Sequence, residues 1–298
     1  MAYSPLNGMP VYDVDSLEQR VVAVKIDNHW NARPQSGLVN AQAVYELLVE
    51  GGLTRFIGLF HQTSPTYVGP IRSGRPTDPT LLKFIGAPAQ VSGMQDWVAS
   101  RFVSAGVHII GDDQVSTFRI GGRRAPHNLY GNVETMRETA DRRGWEDTPP
   151  APIFDFGEPS TSDEMASEIL LDWSDRPVVR WEWNGFRYFR FNDDSRHMTV
   201  TEDGSASQIN ADVIVVLEAN RYTASPAGSG TPVPALETLG SGAALLFHDG
   251  IVVEGTWARE TIEERFELTL PSGDPMVLPA GRLWINVFPQ QQSVTWSQ

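Results

Sequence analysis

Cysteine is absent from this 298-residue sequence, which rules out disulfides, thiolate metal sites, a cysteine nucleophile and a lipid-modified cysteine within these residues. Lysine is nearly absent: Lys25 and Lys83 are the only two among 23 basic residues, so guanidinium groups are the means available for holding anions. Long apolar runs are missing too. No stretch reaches the about 18 residues that a transmembrane helix needs. The start MAYSPLNG lacks the basic and apolar regions of a secretory signal, and suits either a cytoplasmic protein or one from which an export signal has been removed. Nor is there a surplus of basic charge. The formal net charge of −14 argues against a nucleic-acid partner, because phosphate binding needs a basic surface that releases counterions.

What is present is the composition of a folded globular protein, with 41% hydrophobic and 20% charged residues in a chain long enough for two cores. The halves differ in charge. Residues 1–150 carry 14 basic against 15 acidic side chains, whereas residues 151–298 carry 9 against 22, so nearly all the negative charge lies in the second half. A stretch rich in Pro, Ser, Thr and acids, WEDTPPAPIFDFGEPSTSD (residues 145–163), follows the helical pattern VETMRETADRRG and marks a boundary. Upstream, VVAVKID reads as a buried strand and MQDWVASRFVSAG as an amphipathic helix leading into a short strand VHII. Downstream, VVRWEW-NG-FRYFRF and LLFH-DG-IVVEGTW are β-rich runs joined by strong hairpin turns. The predicted fold is α+β: a mixed α/β domain over residues 1–150, a linker over 151–163, and a smaller, mainly β acidic domain over 164–298. The turn-rich segment 223–242 reads as a flexible connection or a lid.

Four clusters in the first half carry chemistry. The pattern VYELLVE-GG-LTRFIGLF predicts a hairpin with a two-residue Gly51-Gly52 turn; that register sets Glu50 opposite Leu53 and Leu48 opposite Arg55, so that Glu46, Glu50 and Arg55 share one face. Ionisable groups in so apolar a hairpin must reach water, pair with one another or line a cleft. In VGPIRSGRP, Arg72 and Arg75 flank Ser73 and Gly74; paired guanidinium N–H groups beside a small-residue backbone suit an oxyanion, although an ordinary ion-pair loop has the same composition. In DNHWNARPQSG, Asp27 and Asn28 end the first strand and the chain continues to His29, Arg33 and Gln35, where strand ends present ligand-binding groups or simply cap turns. The loop FRIGGRRAPHNLYGN contributes His127, able to exchange a proton near neutral pH, and Asn128. Phosphate-binding glycine loops, the nucleophile elbow and zinc-helix motifs are all missing.

The blocks KIDNHWNARPQSGLVNAQAVYELLVEGGLTRF, VGPIRSGRP and APHNLY, with GSGAALLFHDGIVVEGTW and LPAGRLWINVFP in the second half, resemble the YerB-like family of bacterial envelope lipoproteins, whose domain has no assigned function. The resemblance spans nearly the whole chain. It implies two domains and an extracytoplasmic parent held at the membrane by a lipid anchor, although the lipobox cysteine of such proteins is missing here. The order of acidic strand, apolar strand and arginine loop is also similar to LytR-CpsA-Psr phosphotransferases. That similarity implies Mg²⁺ on Glu46 or Glu50 and a pyrophosphate clamped by Arg55, Arg72 and Arg75.

Two functional readings follow. In the first, the protein binds, transfers or hydrolyses an anionic, phosphate-bearing envelope substrate, a small molecule or a lipid- or glycan-linked one, with metal assistance. Asp27, Glu46, Glu50 and His127 would be acid, base or metal ligands, and Arg33, Arg55, Arg72, Ser73, Arg75 and Asn128 would hold the anion. In the second, the acidic β domain is a non-catalytic module that recruits a protein or glycan through Trp181, Trp183, Tyr188, Phe189 and Phe191, half of which a strand buries in any case.

Overall fold

The computed structural model describes residues 1–174 and 178–298. Its main strands are β1 (Val22–Asp27), β2 (Ala43–Leu48), β3 (Thr54–Phe60), β4 (Ala89–Gln90), β5 (Glu168–Asp172), β6 (Val178–Trp183), β7 (Tyr188–Asn192), β8 (Val213–Ala219), β9 (Gly240–His248), β10 (Ile251–Arg259), β11 (Glu267–Thr269), β12 (Leu283–Pro289) and β13 (Ser293–Ser297). The helices are α1 (Asp78–Leu82), α2 (Asp96–Ser104) and α3 (Val133–Arg142).

The fold is α+β, as the sequence predicts: helices pack on a mixed sheet in the first half, and the second half is mainly antiparallel β. Nine strands form one sheet in the order β11-β10-β9-β8-β12-β2-β3-β1-β4, so strands from both halves join edge to edge through the parallel pair β12·β2. Continuous apolar runs such as VIVVLEA in β8 are what a strand covered on both faces requires. Alternation sorts their side chains: Val213, Val215 and Leu217 face one core together with Leu81, Leu82, Val98 and Phe102 of α1 and α2. Ile214 and Val216 face the other core, with Ile169, Leu171 and Trp181 of the second sheet.

That second sheet, β7-β6-β5-β13 with two short flanking strands, lies on the β1–β3 region through Trp181, Tyr188, Phe56 and Trp284. Its inner and outer faces decide the fate of the predicted aromatic surface. Trp181 and Tyr188 are core; Trp183, Phe189 and Phe191 are half-buried, and Phe191 lies under the Arg180 guanidinium at 4.4 Å.

Local predictions meet three different outcomes. Asp249 and Gly250, with φ of 48° and 77°, close the two-residue turn that sets His248 opposite Ile251. The stretch 223–242 is a correction: it forms a short hairpin, Arg221–Ala224 against Val233–Leu236, whose Ala224, Val233, Ala235 and Leu236 are buried, because its small and apolar residues have a core to join over α1. The β2·β3 hairpin is the second correction. Leu48 lies opposite Thr54, Leu47 opposite Arg55 and Glu46 opposite Phe56, one residue away from the predicted register. Gly51 and Gly52, at φ of 69° and 70°, belong to a loop that also takes in Glu50, and Val49 N–H donates to the Leu53 carbonyl across its base. A one-residue slip reverses every side chain. Glu46 and Arg55 therefore lie on opposite faces of the sheet.

Candidate functional site

The site grows from the end of β1. This strand is flanked on both sides, by β3 and by the short edge strand β4, and is fully buried, so its last residue, Asp27, has 2% exposure. Segment 68–72 runs beside it: Asp27 N–H donates to the Pro70 carbonyl, and Arg72 N–H to the Lys25 carbonyl. This places Arg72 Nε 3.2 Å from Asp27 Oδ2. The same carboxylate oxygen lies 2.7 Å from His127 Nδ1, a residue 100 positions later, while Asp27 Oδ1 accepts from His29 N–H at 3.1 Å. The His29 and His127 rings stack at 4.7 Å between centroids. Arg123 fixes the histidine loop to the β1 loop by donating to the carbonyls of Ala32 and Pro34.

Arg55 stands opposite Asp27 in the β1·β3 ladder and so shares its face. Its Nη1 donates to the Ser73 carbonyl at 3.0 Å. Burial, then the charges of Arg75 and Arg72, push the Arg55 pKa down to about 10, so both of those guanidinium groups lie within electrostatic range of Arg55. Arg75 is held by Glu50 Oε2 at 2.7 Å and through its own N–H by Asp78 Oδ2 at 2.8 Å. Asp78 in turn pairs with Lys25 Nζ at 2.6 Å, both side chains being buried; burial pushes Lys25 down to about 8 against the raising effect of Asp78. Arg72 is the exposed member at 24%, and among the described residues its terminal amino groups have no hydrogen-bond partner. A cleft of about 270 Å³ opens beside Arg75 and Ser73, walled by Met94, Gln95 and Val98 of the α2 region and by Val233 of the hairpin from the second half.

The structure thus brings together Asp27, His127, Arg55, Arg72 and Arg75, with Glu50 as the partner of Arg75. Of the remaining candidates, only Ser73 lies there, and not through its hydroxyl. Ser73 contributes its carbonyl, since its hydroxyl donates to Ser92. Asn128 lies on a neighbouring hairpin, accepting from Arg119 at 2.9 Å. Arg33 is a buttress behind the strand end: its Nε and Nη2 donate to Asn28, and burial, followed by the charge of Arg190, pushes it down to about 10.

Glu46 lies between the two sheets with 0% exposure. Oε1 accepts from Thr54 Oγ1 and Arg190 Nη2, each at 2.7 Å, and Oε2 accepts from Trp284 Nε1 at 2.9 Å. The Mg²⁺ expectation does not fit these residues. Both Glu46 oxygens are occupied, Glu50 is bonded to Arg75, and among the described residues no three His, Asp or Glu side chains gather as a ligand set for a hard cation.

From Glu46 a buried polar network runs back to the site. Arg190 donates to His197 Nδ1, His197 Nε2 donates to Gln35 Oε1 at 2.8 Å, and Gln35 Nε2 donates to the Asp27 carbonyl at 2.9 Å. Burial, reinforced by Arg190 and Arg33, holds His197 well below its ordinary value, which leaves it neutral and able to accept from Arg190. Arg190, His197 and Lys25 were missed as functional support, and Gln35 was noted only as part of the cluster at the strand end. The signal for Arg190 was ambiguous: in YFRFN the inward set is Tyr188, Arg190 and Asn192, not the more apolar Phe189 and Phe191.

Comparison with known proteins agrees with this architecture. Residues 6–146 match the N-terminal domain, and residues 169–285 the C-terminal domain, of a protein family of unknown function, DUF3048. The curated protein named "Putative lipoprotein YerB" of Bacillus subtilis (strain 168) is 27% identical over 305 residues, covering 99% of this chain and 88% of the relative. The crystal structure of YerB from Bacillus subtilis superposes with a TM-score of 0.84 at 24% identity, covering 99% of this chain and 100% of that one, and shares its fold. No helix among the described residues is long and apolar enough to cross a membrane.

Proposed function

This chain belongs to the DUF3048 family, and we propose that it binds an oxyanion-bearing ligand, a phosphate or pyrophosphate group, at the Arg55, Arg72 and Arg75 cluster beside Asp27 and His127. The supporting observation is the convergence of three guanidinium groups from a strand and a separate loop, tied by the Arg55 bond to the Ser73 carbonyl, with Arg72 Nη1 and Nη2 unbonded among the described residues. Three cations would not be gathered against their mutual repulsion without a return, and Asp27 and Glu50 compensate them only in part. An anion that accepts the open N–H groups completes the balance. His127 adds proton chemistry: Asp27 holds its Nδ1, and Nε2 has no partner among the described residues.

The relative named "Putative lipoprotein YerB" supports an envelope setting for this reading, in which the ligand would be an envelope component carrying phosphate and the parent chain would be held outside the cytoplasm by a lipid anchor. Isothermal titration with inorganic pyrophosphate tests the site. The expected result is that wild type binds it, that Arg72→Gln binds at least about tenfold more weakly with an unchanged circular dichroism spectrum, and that affinity falls as salt rises. Equal affinity of wild type and Arg72→Gln would refute the assignment.

A further inference from the structure

Beside the arginine cluster stands a side chain that the anion reading does not use. Trp30 is 65% exposed, although it sits on a tightly held backbone. Residues Trp30–Ala32 form a 3₁₀ turn capped by His29, whose Nδ1 accepts from Asn31 N–H at 3.1 Å; Ala32 N–H donates to the His29 carbonyl at 2.8 Å, and Arg123 holds the far end. The indole meets the His29 ring at 3.8 Å between centroids, and His29 stacks in turn on His127 at 4.7 Å. Pairwise contacts therefore link Trp30, His29, His127, Asp27 and Arg72, from an exposed aromatic ring to a guanidinium that pairs with Asp27 through Nε and whose Nη1 and Nη2 have no hydrogen-bond partner among the described residues. An exposed indole fixed on a rigid turn presents an apolar ring that a ligand with an apolar face of its own can cover at little cost in conformational entropy.

We propose that Trp30, backed by His29, is a stacking platform for a saccharide ring, so that the ligand of the site is a phosphorylated saccharide with its phosphate at Arg72. This rests on the anion reading above and names its substrate class. One side of the indole is backed by His29 and the remainder is open to water. A pyranose matches this, since one C–H face lies on the indole while hydroxyls on the rim and opposite face stay hydrated. A nucleic-acid strand matches poorly, because the chain as a whole carries −14.

The test titrates the full chain with inorganic phosphate, glucose 1-phosphate, maltose 1-phosphate and adenosine monophosphate, using wild type, Trp30→Ala and Arg72→Gln. The expected result is that at least one sugar phosphate binds wild type about tenfold more tightly than phosphate does, the scale of one stacking contact. Trp30→Ala removes that advantage and leaves phosphate affinity unchanged. A Trp30→Ala variant that keeps the full advantage overturns the proposal, and so does adenosine monophosphate binding more tightly than both sugar phosphates. If phosphate binds through Arg72 but neither sugar adds affinity, the platform fails and the anion site stands. If no ligand binds wild type, the anion reading fails first.

Discussion

Removing Arg190 should expose the pin between the two sheets. Its guanidinium has 0% exposure, lies 5.4 Å from the Phe56 ring centroid, 5.9 Å from Trp181 and 5.7 Å from Trp284, and donates to Glu46 of the other sheet at 2.7 Å. Arg190→Met fills similar volume but leaves the Glu46 carboxylate with only the neutral donors Thr54 and Trp284. Stranding a buried charge in this way costs about 3–5 kcal/mol. With an unfolding entropy of about 2.1 cal/mol/K per residue over 298 residues, about 0.6 kcal/mol/K in all, the melting temperature should fall by about 5–8 °C. Glu46→Gln/Arg190→Met removes both charges and keeps one acceptor oxygen, for either Thr54 or Trp284, so it should recover about 2 kcal/mol or more relative to the sum of the single variants. Calorimetry, with urea unfolding followed by tryptophan fluorescence, measures both quantities. A melting temperature within about 1 °C of wild type for Arg190→Met, or strict additivity in the cycle, would refute the reasoning.

Three further outcomes follow from the same geometry. His197 lies well below its ordinary 6.5 because of burial, then Arg190 and Arg33, so below about 6.5 the unfolded chain binds a proton there that the folded chain does not. Stability should be full above that pH and fall beneath it toward the folded value by about 1.4 kcal/mol per unit; urea midpoints from pH 7.5 to 5 should decline less steeply in His197→Gln, and equal slopes would count against it. Lys25→Met strands buried Asp78, which also fixes Arg75 N–H, and should lower stability by about 3–5 kcal/mol and weaken pyrophosphate binding together; a stability loss without weaker binding would separate the pair from the site. Gly242→Ala would set a Cβ 2.2 Å from the Glu218 carbonyl and 2.6 Å from Trp257 Nε1, so unfolding should cost at least about 1–3 kcal/mol less, read from the urea midpoint.

The two-part α+β character was legible because hydrophobic period and turn chemistry are local: MQDWVASRFVSAG contains α2, VETMRETADRRG contains α3, and Asp249-Gly250 closes β9 onto β10. The joining of both halves in one sheet was not, since the β2·β12 pairing links residues more than 200 positions apart and leaves no local mark. At the site, residue types pointed to Asp27, His127 and the arginine loop, and the structure brings these together. Glu46 was assigned with them on a register wrong by one residue. Two glycines in a row do not specify whether the turn holds two residues or three, and the choice of three sends Glu46 toward Arg190 and leaves Arg55 with Asp27.

The most direct test of the anion site is to locate the anion. Crystals soaked in pyrophosphate, or in tungstate as a heavy oxyanion, should show it within about 3 Å of Arg72 Nη1 or Nη2 and in contact with Arg55 or Arg75. An oxyanion bound elsewhere, with the Arg72 guanidinium left bare, would contradict the account.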